Sequence, residues 1–165
     1  ELRGTGQPGS TTETNNAPVG TYYTDTAGTA GAWRWLKTAT GSGSNKWAVV
    51  YGDTGWRNVS ADLVNGWSGT VLIRRVGQTI NVEINDLYAT AATSTIFYTA
   101  PIGYRARVSS RRMLYSITPV GQWCRSDWSM NNITVEAYAE TWRVRGVLTA
   151  FTDDPWPTTL PGTPA

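Results

Sequence analysis

The feature that most constrains the fold is a series of short alternating runs separated by turn residues. From Thr21 onward, apolar and polar residues alternate over runs that recur roughly every 8 to 14 residues, with Gly, Pro or Asn between them. No window as long as an ordinary helix combines helical periodicity with capping residues, and the best candidate is the short stretch 59–64. The pattern therefore predicts an all-β protein whose main domain is an antiparallel β-sandwich or jelly roll.

The clearest hairpin lies at residues 76–79, Val-Gly-Gln-Thr, between two runs rich in β-branched residues. Glycine supplies the positive φ angle that a tight hairpin turn needs. Alternation predicts that Ile80 faces the core together with every second residue up to position 84. By the same rule, Trp33 and Trp35 are predicted to share one face of an earlier strand.

The chain divides by composition into four segments. Residues 1–20 are rich in Gly, Thr, Asn and Pro, and are predicted to be a linker or the remnant of a shaft because they hold too few apolar groups to form a core. Residues 21–58 are predicted to form a small β-meander, and residues 59–151 the β-sandwich. Residues 152–165 are rich in proline and are predicted to lie as an extended arm, with Trp156 as its anchor.

The composition favours a binding surface over a site that transfers protons. The chain has nine Trp and eight Tyr but no His, which excludes the usual Ser-His-Asp and Cys-His nucleophiles and the His-containing metal sites. Cys124 is the one cysteine, so the chain has no internal disulfide, and we expect a small buried apolar residue there. We therefore expect no enzymatic activity, no cofactor and no metal at the site.

Charge and hydropathy argue against nucleic acid and membranes as partners. Charged residues make up 16% of the chain, against about 25% in ordinary soluble domains, and the basic residues form no block that would neutralise many phosphates. Nucleic acid is therefore a poor candidate. No apolar run approaches the roughly 18 residues of a membrane-spanning helix, so we expect a soluble chain without membrane insertion, and one that is part of a longer protein.

The first candidate site is the segment 123–128, Trp-Cys-Arg-Ser-Asp-Trp, which we interpret as two indoles and a charge pair around a short turn. Sugar rings stack their apolar C–H faces on indole while charged and amide groups bind the hydroxyls. We therefore expect Trp123, Arg125, Asp127 and Trp128 to contact a ligand. The alternative is that both tryptophans belong to the core and Arg125 pairs locally with Asp127.

Arginines supply two further candidates. Arg111 and Arg112 are possible helpers that would bind phosphate or carboxylate groups of an anionic polymer, since guanidinium binds such groups through two hydrogen bonds. The alternative is a solvated strand face. A third group, Arg143 with Arg145, is expected to pair across strands with the acidic residues of segment 136–140.

Carboxylate pairs leave a hydrolase open as a weaker alternative. Glycosidases need only two acids about 5 to 9.5 Å apart, so the lack of His does not forbid the reaction. Glu83 with Asp86, and Asp153 with Asp154, are the pairs that the sequence offers.

Two segments resemble recurring parts of bacteriophage tail proteins. The first, residues 17–59, has the sequence APVGTYYTDTAGTAGAWRWLKTATGSGSNKWAVVYGDTGWRNV. It resembles a module of tail-fibre and minor tail proteins, particularly those of long-tailed phages of Gram-positive actinobacteria. The second is the ending TDDPWPTTLPGTPA, which resembles the close of the same proteins. The middle of the chain is similar only in its strand pattern.

The resemblance implies a homotrimeric C-terminal receptor-binding domain of the virion tail, which contacts other tail proteins and adsorbs to a bacterial cell-surface polysaccharide or other glycopolymer. A trimer would present three sites at once, so that weak sugar binding becomes strong adhesion through effective concentration. Three alternatives stay open. They are a structural trimerising knob without receptor contact, a cell-wall polysaccharide depolymerase, and a monomeric secreted carbohydrate-binding module.

Overall fold

The computed structural model describes residues 1–89, 94–118, 120–136 and 142–165. The all-β class predicted from the sequence is confirmed, because within these ranges the chain is built from β-strands, short 3-10 helices and one five-residue α-helix. The chain forms two compact units. The first comprises Glu1–Thr54 and Pro155–Leu160, and the second comprises Gly55–Asp154 and Pro161–Ala165.

The first unit contains a four-stranded sheet in the order β1-β2-β3-β4. Its elements are β1 (Leu2–Gly4), α1 (Thr12–Asn16), β2 (Tyr22–Asp25), β3 (Ala32–Lys37) and β4 (Trp47–Gly52), with 3-10 helices at Thr29–Gly31 and Ser44–Lys46. Strands β2 to β4 form an antiparallel meander, and β1 adds to β2 in the parallel direction. The core of this unit is mainly aromatic and consists of Tyr23, Ala32, Trp35, Trp47 and Trp156.

Irregular pairing between β3 and β4 separates two tryptophans that alternation places together. The pairing of β3 with β4 is irregular on both sides of Arg34. Trp35 is consequently buried, whereas Trp33 keeps 46% of its surface exposed. The predicted shared face is therefore wrong. Between Ala32 and Arg34, strand β3 has one residue more than β4, and this extra residue reverses the alternation of β3 before Trp35.

Residues 1–20 carry β1 and α1 within the first unit instead of the predicted linker. Thr11 caps the helix, and its side chain accepts a hydrogen bond from the backbone N–H of Thr14. At the other end, the Lys37 ammonium, which is almost completely buried, donates to the carbonyl oxygens of Thr14 and Asn15 at 2.9 and 3.1 Å. Capping and one buried cation thus stabilise a segment that has few apolar groups.

The second unit contains a nine-stranded antiparallel sheet in the order β13-β5-β6-β7-β12-β9-β10-β11-β8. Its strands are β5 (Arg57–Asn58), β6 (Trp67–Val76), β7 (Thr79–Ala89), β8 (Ile96–Thr99), β9 (Ser110–Thr118), β10 (Val120–Ser129), β11 (Asn132–Glu136), β12 (Arg143–Phe151) and β13 (Thr163–Pro164). A 3-10 helix covers Ser60–Asp62.

The sheet of the second unit is curled, so that its inner face encloses the core. Strand β8 stands at one end of the strand order, and hydrogen bonds join its start and the residues before it to the residues around the start of β6. The Trp67 indole N–H donates to the Ser94 carbonyl at 2.9 Å, and the Asn65 amide donates to the Ile96 carbonyl at 3.0 Å. The inward-facing residues of the long strands therefore pack into a single core.

The β6–β7 hairpin forms as predicted. Val76 pairs with Thr79 across a two-residue turn in which Gly77 has a φ angle of 56°. Ile80 and the predicted residues after it, up to Ile84, are buried in the core.

The C-terminal segment is held at several points. The Trp156 side chain, predicted as an anchor, is buried in the first unit, and its indole N–H donates to the Ala30 carbonyl at 2.9 Å. Strand β13 pairs with β5 in the second unit, where Arg57 donates to the carbonyl oxygens of Pro161 and Gly162.

Candidate functional site

The segment 123–128 lies within strand β10 instead of around a turn. Successive side chains therefore point to opposite faces of the sheet. Trp123, Arg125 and Asp127 lie on the outer face, which is the face opposite the core. Trp128 lies on the inner face and is 1% exposed, so the prediction that it contacts a ligand is wrong.

Trp128 is a core residue of the second unit. Its indole N–H donates to the Met130 carbonyl at 3.1 Å, which satisfies the one polar atom of the side chain. For this tryptophan the structure agrees with the core alternative.

Trp123 is 56% exposed and pairs with an aromatic residue that lies directly opposite it on β9. The two ring centroids of Tyr115 and Trp123 are 5.3 Å apart, and the planes meet at 73°. Edge-to-face contact of this kind fixes the orientation of both rings. We call Tyr115 and Trp123 the aromatic pair.

An open depression of about 560 Å³ adjoins the aromatic pair on the outer face. Its lining comes from β7, β9 and β12, and consists of Glu83, Ile84, Asn85, Tyr115, Arg145, Gly146 and Val147. The Arg145 guanidinium carbon lies 6.0 Å from the centroid of the Tyr115 ring. The depression therefore combines an aromatic wall with one carboxylate, one amide and one guanidinium group.

Two of the lining residues, Ile84 and Gly146, pair with each other beside a β-bulge. The pairing of β12 with β7 shifts register between Val144 and Gly146. A side chain at Gly146 would approach the Leu114 side chain, since an added Cβ would stand 2.7 Å from the Leu114 Cδ2. The glycine therefore avoids a clash with a core side chain, and the bulge interrupts the regular strand pairing next to the depression.

The other predicted charged residues neutralise one another. The Arg111 Nε lies 3.2 Å from the Asp127 Oδ1, and the Arg125 Nε lies 3.6 Å from the Asp127 Oδ2. Arg125 also binds the Glu136 carboxylate on β11. The pairing of Arg125 with Asp127, which the sequence offered as the alternative to a ligand contact, is therefore present.

Arg112 does not act beside Arg111, because the two side chains lie on opposite faces of β9. Arg112 pairs in register with the buried Ser126, although its own side chain is exposed near the end of the strand. It donates a hydrogen bond to the Arg111 carbonyl at 2.9 Å. Arg111 and Arg112 therefore cannot bind one anionic group together from the same face of the sheet.

The predicted pairing of Arg143 and Arg145 with Glu136 is wrong. Strand β12 lies between β7 and β9 and does not adjoin β11. Arg143 instead contacts the Asp86 carboxylate at 2.6 Å. Glu140, the other predicted partner, lies outside the described residues.

Three carboxylates of the predicted acid pairs bind arginines. Asp86 binds Arg143 as stated above, Asp154 binds Arg105 with an Nη2–Oδ1 distance of 2.8 Å, and Asp153 lies 3.4 Å from Arg107. Glu83 is at the depression. Among the described residues, no group of three or more His, Cys, Asp or Glu side chains could hold a metal ion.

The sequence analysis does not name Tyr115, and it assigns Arg145 to cross-strand ion pairs instead of to a ligand. A signal for Tyr115 was present, because alternation in β9 places it on the face of Arg111, and consecutive strands commonly pair. Nothing local indicated that Arg145 lies beside Tyr115, since β12 and β9 are neighbours in the sheet but not consecutive in the chain.

No protein-family model, curated protein or solved structure matches this chain. Within the described ranges, none of the helices has the length and apolar character needed to cross a membrane.

Proposed function

We propose that this chain is a receptor-binding domain of a bacteriophage minor tail or tail-fibre protein that adsorbs to a bacterial cell-envelope glycopolymer. Support comes from the resemblance of residues 17–59 and of the C-terminal segment to tail proteins of actinobacterial phages. The observation that carries the proposal is the exposure of Trp123 in the aromatic pair beside the depression.

The outer face offers the groups that a sugar needs. The exposed indole of Trp123 presents an apolar ring on which the C–H face of a pyranose can stack. The Tyr115 ring contacts this indole edge to face and so fixes its orientation. Glu83 and Asn85 line the depression, and in the proposed complex they bind hydroxyl groups. The shallow, open shape suits one stretch of a long polymer better than an enclosed small molecule.

We also propose that the domain is a homotrimer in the virion. Its candidate subunit contact is an apolar patch away from the aromatic pair, made of Val108, Met130 and Phe151, which are 65%, 64% and 58% exposed. Backbone hydrogen bonds bring these segments together, since the N–H of Ala106 donates to Met130 and that of Arg107 donates to Phe151. Burial of exposed apolar groups against a second copy stabilises an assembly.

The same apolar patch favours a second candidate function, a trimerising structural knob that has no receptor. Light scattering on the purified protein separates assembly from adsorption. We expect a trimer for the wild type and a smaller species for Met130→Asn, which removes the apolar side chain at a position whose φ angle of 51° Asn tolerates.

Adsorption is tested by incubation of the fluorescently labelled protein with a panel of actinobacterial cells. We expect labelling of at least one strain, and competition by the polysaccharide released from its envelope. A trimeric protein that labels no strain would support the structural knob instead.

A further inference from the structure

We propose that the glycopolymer carries an anionic group, a carboxylate or a phosphate, and that Arg145 binds it. This inference rests on the proposed function and names the chemical class of its ligand. It also moves the anion contact from Arg111 and Arg112, where the sequence placed it, to the edge of the depression.

Three arginines on the outer face of the sheet are paired with carboxylates. Arg111 and Arg125 bind Asp127, and Arg125 also binds Glu136, so their charges are balanced within the protein. Arg143 is balanced in the same way by Asp86. Arg145 differs from these three, because no carboxylate of the described residues pairs with it.

The position of Arg145 suits a ligand that also touches the aromatic pair. Arg145 pairs in register with Tyr115, and Tyr115 pairs in register with Trp123, so the three side chains form a row across β12, β9 and β10. The guanidinium lies over the Tyr115 ring, which supports a planar cation without neutralising it. A polymer with one sugar stacked on Trp123 would therefore run past Tyr115 and place the substituents of a neighbouring sugar beside Arg145.

Glu83 adds a negative charge to the depression, apart from the positive charge of Arg145. It lies on β7, two strands away from Tyr115 on β9, which is roughly 10 Å at the usual strand spacing. Like Arg145, Glu83 has no ion-pair partner within the described residues. The ligand is thus expected to place its anionic group near the aromatic pair, and hydroxyl or amino donors toward β7.

Guanidinium is well suited to this task. Its planar N–H groups bind a carboxylate or a phosphate through two parallel hydrogen bonds, which a point charge does not provide. Loss of a hydrogen bond to a charged group lowers affinity by about tenfold to a hundredfold. The experiment measures whether that loss occurs at Arg145.

The test compares wild-type protein, Arg145→Gln and the matched control Arg143→Gln in cell labelling at low and high salt. Both variants remove one positive charge from β12, but Arg143 is already paired with Asp86. We expect Arg145→Gln to weaken binding at least tenfold and to reduce its salt dependence, while Arg143→Gln binds as the wild type does. Competition with polygalacturonate, poly(glycerol phosphate) and uncharged mannan then distinguishes a carboxylate from a phosphate.

The outcomes separate this inference from the proposed function. If Arg145→Gln labels cells as strongly as the wild type, or if mannan competes while both anionic polymers fail, the anionic ligand is overturned and adsorption stands. Failure of both anionic polymers to compete at low salt and at high salt also overturns the anionic ligand, whatever mannan does. If the wild-type protein labels no cells, the proposed function fails and this inference fails with it.

Discussion

Trp123 and Trp128 lie on opposite faces of strand β10, the first 56% exposed and the second 1% exposed. The odd spacing between them in a strand of period two is the cause. One segment of sequence therefore supplies an indole for the surface and an indole for the core. The two residues have to be tested with different measurements.

Truncation of the two tryptophans should affect stability very differently. We expect Trp128→Ala to lower the free energy of unfolding by about 3–5 kcal/mol, because it empties a large space in the core. Trp123→Ala removes a mostly exposed ring and should cost about 1 kcal/mol or less. Urea unfolding followed by circular dichroism measures both. Equal losses would show that Trp123 is structural.

Cys124 should be inert in the native protein. The side chain is fully buried in the core, and this burial raises the pKa of the thiol to about 11. Since the thiolate is the reactive form, we expect no reaction with a thiol reagent at pH 8 until the protein is unfolded by denaturant. Rapid labelling of the native protein, with its circular dichroism unchanged, would contradict this placement.

The fold class could be predicted from local sequence patterns. The candidate site could not, because it depends on which distant strands pair with each other. The hairpin at 76–79 and the burial of Ile80 follow from alternation and from one glycine, and both were predictable. The exposure of Trp33 was not, because a bulge changes the alternation without a local signature. Arg145 approaches Tyr115 only because β12 inserts between β7 and β9. Pairing between distant segments is set by the whole core, so no short pattern encodes it.

Asp154 should matter for stability far more than its neighbour Asp153. Asp154 accepts hydrogen bonds from the backbone N–H of Gly103 at 2.8 Å and from two nitrogens of Arg105. We expect Asp154→Asn to lower the free energy of unfolding by about 1–2 kcal/mol, a figure reduced because Arg105 is partly exposed.

Asp153→Asn is the matched control for that substitution. Asp153 is 60% exposed and lies 3.4 Å from Arg107, so its loss should change the unfolding free energy by no more than about 0.5 kcal/mol. Chemical denaturation of both variants decides the comparison. A larger effect at position 153 would refute the assigned role of Asp154.

Stability should fall when the solution is made strongly acidic. Burial acts to raise the pKa of Asp25, but hydrogen bonds from Thr29, Ala27 and Gly6 outweigh it and the pKa is lowered. A lowered pKa contributes stability above the unfolded value of about 3.9, and this contribution is lost as the pH falls through the lower native value.

The acid dependence can be assigned with one variant. We expect the unfolding midpoint of the wild type to fall steeply below about pH 4, and that of Asp25→Asn to fall less steeply. Denaturant titrations at several pH values give both slopes. An identical slope in the two proteins would show that Asp25 does not carry the effect.

The most direct test of the account is the binding of labelled Trp123→Ala protein to the cells that the wild type labels. The control is Trp33→Ala, which removes another exposed indole, 46% exposed, from the first unit. We predict that Trp123→Ala lowers apparent affinity at least about tenfold with the fold intact, and that Trp33→Ala binds normally. Undiminished binding by folded Trp123→Ala would contradict the role of the aromatic pair.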